Sequence, residues 1–431
     1  MSNKMVRRQL CDGVYWNAIT DAKFKANRIS CNLILPLDAE TVTDTAVVPF
    51  LLRRRFRDCP DFTRLNERLC ELYGASLDAD VRKHGAYQIL NLSIQTLDDR
   101  YTMDGELLTN KCAELAAGLL LDPYFVDGVF DEQDFELERR SLVDTIESEI
   151  NDKRSYAISR CQSVLFEGEP FAIKKYGTKE RAEAMTRQSA TEAYHRAVRD
   201  AAVEILFIGC GDGEGAAKIF ADRFSRLKRS PIAHREASTK AKAERVTEKT
   251  DRMDVSQSKL VMGFRIGELE SQEEKNAAKL MAALYGGTPF SRLFLNVREK
   301  YSLCYYCAAR LDKATGTMLV DSGVEAANKQ KAQDEILNQL DVVRNGEFTD
   351  EELDNTILAL TSALGSVTDT LGGMEGWYLD QILSGSSQSP EENARQISSL
   401  TREQVMEAAG KVTLDTVYFL TSREENAHES N

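Results

Sequence analysis

The chain has 431 residues, 42% hydrophobic and 29% charged, with a formal net charge of −14. That length implies two to four domains rather than one core. No apolar run approaches the roughly 18 residues a membrane helix needs, and so acidic a balance argues against nucleic acid, whose phosphates call for a positive footprint. Nine cysteines without a regular spacing, and basic N-terminal residues with no apolar stretch behind them, point to reduced thiols in a cytoplasm and to no secretory leader.

In chain order, a strand is expected at Arg28-Ile-Ser-Cys-Asn-Leu-Ile-Leu, then a helix at Phe62-Thr-Arg-Leu-Asn-Glu-Arg-Leu. Tyr73-Gly-Ala-Ser-Leu forms the turn after it, and Ile89 to Leu97 alternates as a strand should. Glu132 to Ala157 is charged with apolar residues at helical spacing, which predicts one long amphipathic helix. Thr186 has the chemistry of a helix N-cap, and Val203-Glu-Ile-Leu-Phe-Ile reads as the strand that closes this half. Gly209-Cys-Gly-Asp-Gly-Glu-Gly imitates a dinucleotide loop, but Asp212 and Glu214 stand where pyrophosphate charge would sit. A tight strand-to-helix turn is the expectation there.

The stretch 226–251 is polar and charged, as a surface linker would be. Beyond it the pattern begins again. Gln257-Ser-Lys-Leu-Val-Met-Gly-Phe echoes the first strand, and Phe290-Ser-Arg-Leu echoes Phe62-Thr-Arg-Leu. Tyr301-Ser-Leu-Cys-Tyr follows at the offset of Tyr73-Gly-Ala-Ser-Leu. Thr401 repeats the Thr186 cap, and Thr416-Val-Tyr-Phe-Leu-Thr repeats the closing strand. The ordered repeat implies an α+β protein with one sheet per half: 1–225, a linker at 226–251, and 252–431. Cys304-Tyr-Tyr-Cys307 matches C-x-x-C, but residues three apart in a regular strand face opposite ways, so no redox or metal role is expected.

The run from Phe290 through Val297-Arg298-Glu299-Lys300 and Leu303-Cys304-Tyr305 resembles the second-half signature of the insulinase-type, or M16, peptidases, and the resemblance extends over essentially the whole chain. It implies two homologous α/β-roll halves, each a mainly antiparallel sheet with helices on one face, arranged as a clam shell around a chamber. Active members carry His-x-x-Glu-His on a first-half helix and a distal Glu, which together hold zinc and a water. Aligned residue by residue, the two histidines fall at Pro49 and Arg53, the general base at Leu52 and the distal ligand at Thr145, or Glu149 if the helix is shifted by one turn. The chain's four histidines, His84, His195, His234 and His428, lie elsewhere. Zinc is therefore expected to be absent, with no catalytic residue in this chain.

Arg298 and Tyr305 match the positions with which the family grips its substrate. The alternative is that both are structural. Arg53-Arg-Arg-Phe-Arg57 reads as a solvated basic face, or, in the family's orientation, as placing Arg53 toward the chamber. The resemblance implies a non-catalytic, cytoplasmic peptide-binding or scaffold subunit. Its partners would be an unfolded peptide or a second M16-like subunit, in a homo- or heterodimer, with neither nucleic acid nor membrane involved. The rival readings are an active metallopeptidase with a non-standard metal site and a purely structural subunit.

Overall fold

The first sheet follows from alternation. In Ala26–Pro36, Ile29, Cys31, Leu33 and Leu35 share one face, while Ser30, Asn32 and Ile34 share the other. A computed structural model describes residues 4–232 and 238–423, and in it these residues lie mid-sheet. The strands of the first half are β1 (Val6–Cys11), β2 (Val14–Thr20), β3 (Ala26–Pro36), β4 (Ser76–His84), β5 (Tyr87–Leu97), the two-residue pair β6 (Phe125–Val126) and β7 (Val129–Phe130), and β8 (Ala202–Gly209). Six of them form a sheet ordered β1-β2-β8-β3-β5-β4, antiparallel except where β2 meets β8.

The second half contributes β9 (Thr247–Met253), β10 (Ser258–Arg265), β11 (Cys304–Asp312), β12 (Thr317–Val324) and β13 (Thr413–Ser422). Their order is β11-β12-β10-β13-β9, again antiparallel except for the β13–β9 pair. The two sheets therefore share one topology, with β4, β5, β3, β8 and β2 matched by β11, β12, β10, β13 and β9. The helix Phe62–Glu71 before β4 corresponds to the π-helical stretch Leu293–Lys300 before β11. Each is followed by left-handed backbone, at Tyr73 (φ 58°) and at Ser302 (φ 50°). The repeat read from the sequence is thus a repeat of structure, and the chain is α+β with sheets rich in antiparallel pairs.

The chain packs as two compact units. One contains Met1–Glu147, Ile173–Glu236 and Ser366–Ser389; the other contains Ser148–Ala172, Ala237–Gly365 and Pro390–Asn431. Each thus includes a segment from the opposite end of the sequence. In the first unit, Leu371–Leu383 lays Leu371, Met374, Tyr378 and Leu379 against Ile19, Ile34, Ile89 and Leu206. In the second, Lys153–Leu165 lays Ala157 and Cys161 against Val261, Tyr418 and Leu420. The helix predicted over 132–157 is two helices, Glu132–Ser148 and Lys153–Leu165, because Asp152 caps the second by accepting from the Arg154 and Ser155 N–H groups. The polar stretch 226–251 lies partly outside the described residues, at 233–237, and its end from Thr247 onward is strand β9.

Thr186 and Thr401 cap their helices as expected, each in a reciprocal capping box.

The helix Leu371–Leu383 is fixed by a buried carboxylate. Glu375 accepts from the Arg28 Nε (2.5 Å) and the Asn91 amide (3.0 Å), with Arg82 at 3.4 Å. Removing one partner of such a cluster leaves charge buried without compensation. Glu375→Ala is expected to cost about 3 kcal/mol. Urea unfolding read by tryptophan fluorescence checks this, since both tryptophans, Trp16 and Trp377, lie in this unit.

Candidate functional site

The segment aligned with a metal helix is two short turns, Val42–Ala46 and Val48–Leu52. Pro49 stands in the first turn of the second, where a missing N–H costs least. Pro49 and Leu52 are buried, and Leu52 is part of the main core of the unit. Neither has an atom that binds a metal. Arg53 caps the turn, and its guanidinium lies 5.5 Å from the Phe50 ring centre.

Arg57 is exposed, but Arg54 and Arg55 are not part of a solvated face. Arg54 approaches Asp134 at 3.3 Å and Glu138 at 3.6 Å, while Arg55 pairs with Asp134 and reaches Asp131 at 3.5 Å. Asp131 immediately precedes the helix Glu132–Ser148, on which Asp134 and Glu138 are one turn apart and both about 4% exposed. Thr145, further along that helix, is exposed and donates its hydroxyl hydrogen to the Ser141 carbonyl at 2.7 Å.

Burial pushes the Glu138 carboxyl above the usual carboxylate range, although Arg53 and Arg54 pull it back. Its Oε1 has no hydrogen-bond partner among the described residues. This donor set does not fit zinc: two apolar side chains, an arginine and a hydroxyl replace two imidazoles and two carboxylates. A guanidinium beside the position would also repel a dication. Among the described residues, no group of three or more His, Cys, Asp or Glu is placed to hold a metal ion. The pairing of Arg54 and Arg55 with Asp131, Asp134 and Glu138 was not anticipated; the signal was the spacing of Asp134, Glu138 and Leu142 on one helix face.

The second candidate group is carried on the other unit. Arg298 lies in the π-helical stretch Leu293–Lys300, a geometry that is rare and tends to occur at functional positions. Its side chain is 38% exposed, with Glu299 at 3.5 Å and the Phe294 ring at 4.6 Å. Arg292, just before that stretch, is the arginine committed to structure, bonded to Gln339 and Glu352. Tyr305 is 74% exposed on the edge strand β11. Tyr306 instead packs under Arg154, whose guanidinium lies 4.3 Å from its ring centre.

The glycine-rich turn after β8 is filled by the protein itself. Asn27 Oδ1 accepts from the Cys210 and Gly211 N–H groups, Asp98 also accepts from Cys210, and Asp99 accepts from Asp212. Asp212 caps the next helix through Gly215. The donors a phosphate would use are already paired with acidic or amide oxygens, so the turn is structural. Nor is any helix among the described residues long and apolar enough to cross a membrane.

Glu138 generates a prediction. A carboxyl whose pKa is higher folded than unfolded binds protons better when folded. Its contribution to stability is therefore lost as pH rises from the ordinary glutamate range through the folded value. Glu138→Gln is expected to flatten that part of the stability profile while costing little near neutrality. Denaturation midpoints between about pH 4 and pH 7 check this.

Comparison with known proteins completes the picture. Residues 184–360 match the family model described as Peptidase M16 inactive domain. The chain is 27% identical over 414 residues to the probable inactive metalloprotease YmfF of Bacillus subtilis (strain 168), covering 96% of each protein. It superposes on a conserved protein from Enterococcus faecalis V583 with a TM-score of 0.90 at 26% identity, over 98% of this chain and 100% of that one. A peptidase M16 inactive domain from Pseudomonas fluorescens shares the fold, with a TM-score of 0.75 at 16% identity over 97% and 98% of the two chains. Over residues 184–360 the chain is thus similar to the inactive domain of the M16 peptidases.

Proposed function

We propose that this protein is a non-catalytic M16 homologue that binds extended peptide, or acts as a scaffold, in partnership with a zinc-carrying M16 subunit. The observation that carries the reading is a contrast between two groups of residues. The metal positions are given over to core packing at Pro49 and Leu52, and the neighbouring arginines to ion pairs. Arg298 and Tyr305, by contrast, keep accessible side chains. Arg298 offers a planar fork for a peptide carbonyl or carboxylate, and Tyr305 a phenol that donates one hydrogen bond. The cytoplasm is the proposed compartment, and a homo- or heterodimer the proposed state. A relative named as an inactive metalloprotease supports the non-catalytic part of this reading.

Two experiments test it. Arg298→Ala and Tyr305→Phe are expected to weaken binding of an unfolded fluorescent peptide about tenfold each, roughly the effect of losing a charged and a neutral hydrogen bond. Neither change should shift the unfolding midpoint, because neither side chain is buried. Unchanged peptide affinity would favour a purely structural subunit. Elemental analysis after gel filtration is expected to find no stoichiometric zinc. One tightly held zinc per chain, with peptide cleavage abolished by chelation, would establish an active metallopeptidase instead.

A further inference from the structure

Cys304-Tyr305-Tyr306-Cys307 opens the edge strand β11, and a β-bulge changes what that spacing means. Across the ladder Cys304 faces Val324, Tyr306 faces Gly323 and Cys307 faces Ser322, so Tyr305 is the extra residue. Val324 and Ser322 are two apart on β12, and residues two apart point the same way. Cys304 and Cys307 therefore share a face, contrary to the expectation from regular alternation. Their Cα atoms are separated by about two strand rises, roughly 6.6 Å. That is at the long end of the roughly 4.4–6.8 Å that disulfides span.

Both thiols lie on the face of β11 that meets Val324 and Ser322, and the Ser322 hydroxyl donates to the Tyr306 carbonyl between them at 2.9 Å. They are not equivalent. Cys304 is half-buried, whereas Cys307 is 4% exposed. The neighbouring Cys307 thiol draws the Cys304 thiol below its ordinary range against the opposing effect of burial, and the Arg298 guanidinium acts in the same direction. The Cys304 thiol and burial push the Cys307 thiol well up. The result is a half-buried thiol that ionises more readily than an ordinary one, backed by a shielded thiol on the same strand face, an arrangement suited to a peroxide-reactive pair.

We propose that Cys304 and Cys307 form a hydroperoxide-reactive dithiol, with Cys304 attacking and Cys307 resolving. The Cys304 thiolate attacks one peroxide oxygen: an S–O bond forms, the O–O bond breaks, and the leaving oxygen departs as water or an alcohol after taking up a proton. The Cys307 sulfur then attacks the Cys304 sulfenic sulfur. An S–S bond forms, the S–O bond breaks, and the hydroxide leaves as water with the Cys307 proton. The two thiols lose two electrons and the peroxide gains them, so the step needs no other oxidant.

The test treats the full-length protein with hydrogen peroxide, alkylates it in denaturant and maps it without reduction. The exposed Cys70 serves as an internal reference. The expected result is that the peptide holding both residues loses two hydrogens and resists alkylation at doses that leave Cys70 largely alkylated. Cys307→Ser should accumulate a dimedone-trapped sulfenic acid at Cys304, and Cys304→Ser should leave Cys307 reduced. Full alkylation of both thiols at doses that oxidise Cys70 would overturn the proposal. So would Cys304 sulfinate without a cystine, a disulfide from either residue to another cysteine, or no trapped sulfenic acid in Cys307→Ser. If either variant does not fold, the map of the unaltered protein decides alone.

Discussion

Each sheet has a second face, and that face is the constraint on which the architecture turns. The antiparallel strands present apolar residues on both sides, so helices from their own half cannot complete the burial. In each unit the remaining face is covered by a helix from the opposite end of the sequence, and an ion pair to a buried carboxylate sets its position. The first unit uses Glu375 on the helix and Arg28 on β3, 2.5 Å apart. The second reverses the signs, with Arg154 on the helix and Asp321 on β12, also 2.5 Å apart. A buried carboxylate that must meet a guanidinium tolerates little sliding, so these pairs specify register more than they add stability. Asn91 and Ser93 on β5 complete the first cluster, which is why so central a strand carries polar residues on this face.

The parts of this organisation that were legible in the sequence are the local ones. Thr186 and Thr401 announce their helices because capping depends on a hydroxyl and the next three residues. The strand pairs were legible because alternation is a property of consecutive residues, and the repeat because both halves keep the same order. The exchange of helices was not legible. Leu371–Leu383 has the apolar spacing of any buried helix, and nothing in that spacing says which sheet receives it. β9 was hidden for a different reason. It is a polar, largely exposed edge strand whose order comes from parallel pairing with β13, so its composition reads as linker.

At the candidate site the same division holds. The expectation that zinc is absent rests on three residue identities, Pro49, Leu52 and Arg53, because metal binding depends on which atoms are present. What the arginines do instead is a matter of tertiary contact. Composition alone treats Arg53 to Arg57 as a solvated patch, yet Arg54 and Arg55 are drawn onto the acidic face of Glu132–Ser148. The carboxylates there are costly to bury, and the guanidiniums offset that cost only in part: Glu138 Oε1 has Arg54 at 3.6 Å but no hydrogen bond among the described residues. That region of the fold is put to a structural use, the pairing of Arg54 and Arg55 with buried acids.

The case of β11 separates a rule from its exception. Regular alternation makes C-x-x-C in a strand chemically inert, and one inserted residue reverses the conclusion by returning both sulfurs to one face. The same insertion leaves Tyr305 outside the ladder register, which accounts for its 74% exposure, and turns Tyr306 back toward Arg154. One backbone irregularity thus governs both which tyrosine is available and whether the thiols meet. A bulge costs a ladder hydrogen bond, and what it gives in return here is the placing of side chains: Tyr306 under Arg154, Tyr305 in solvent, and both sulfurs on one face.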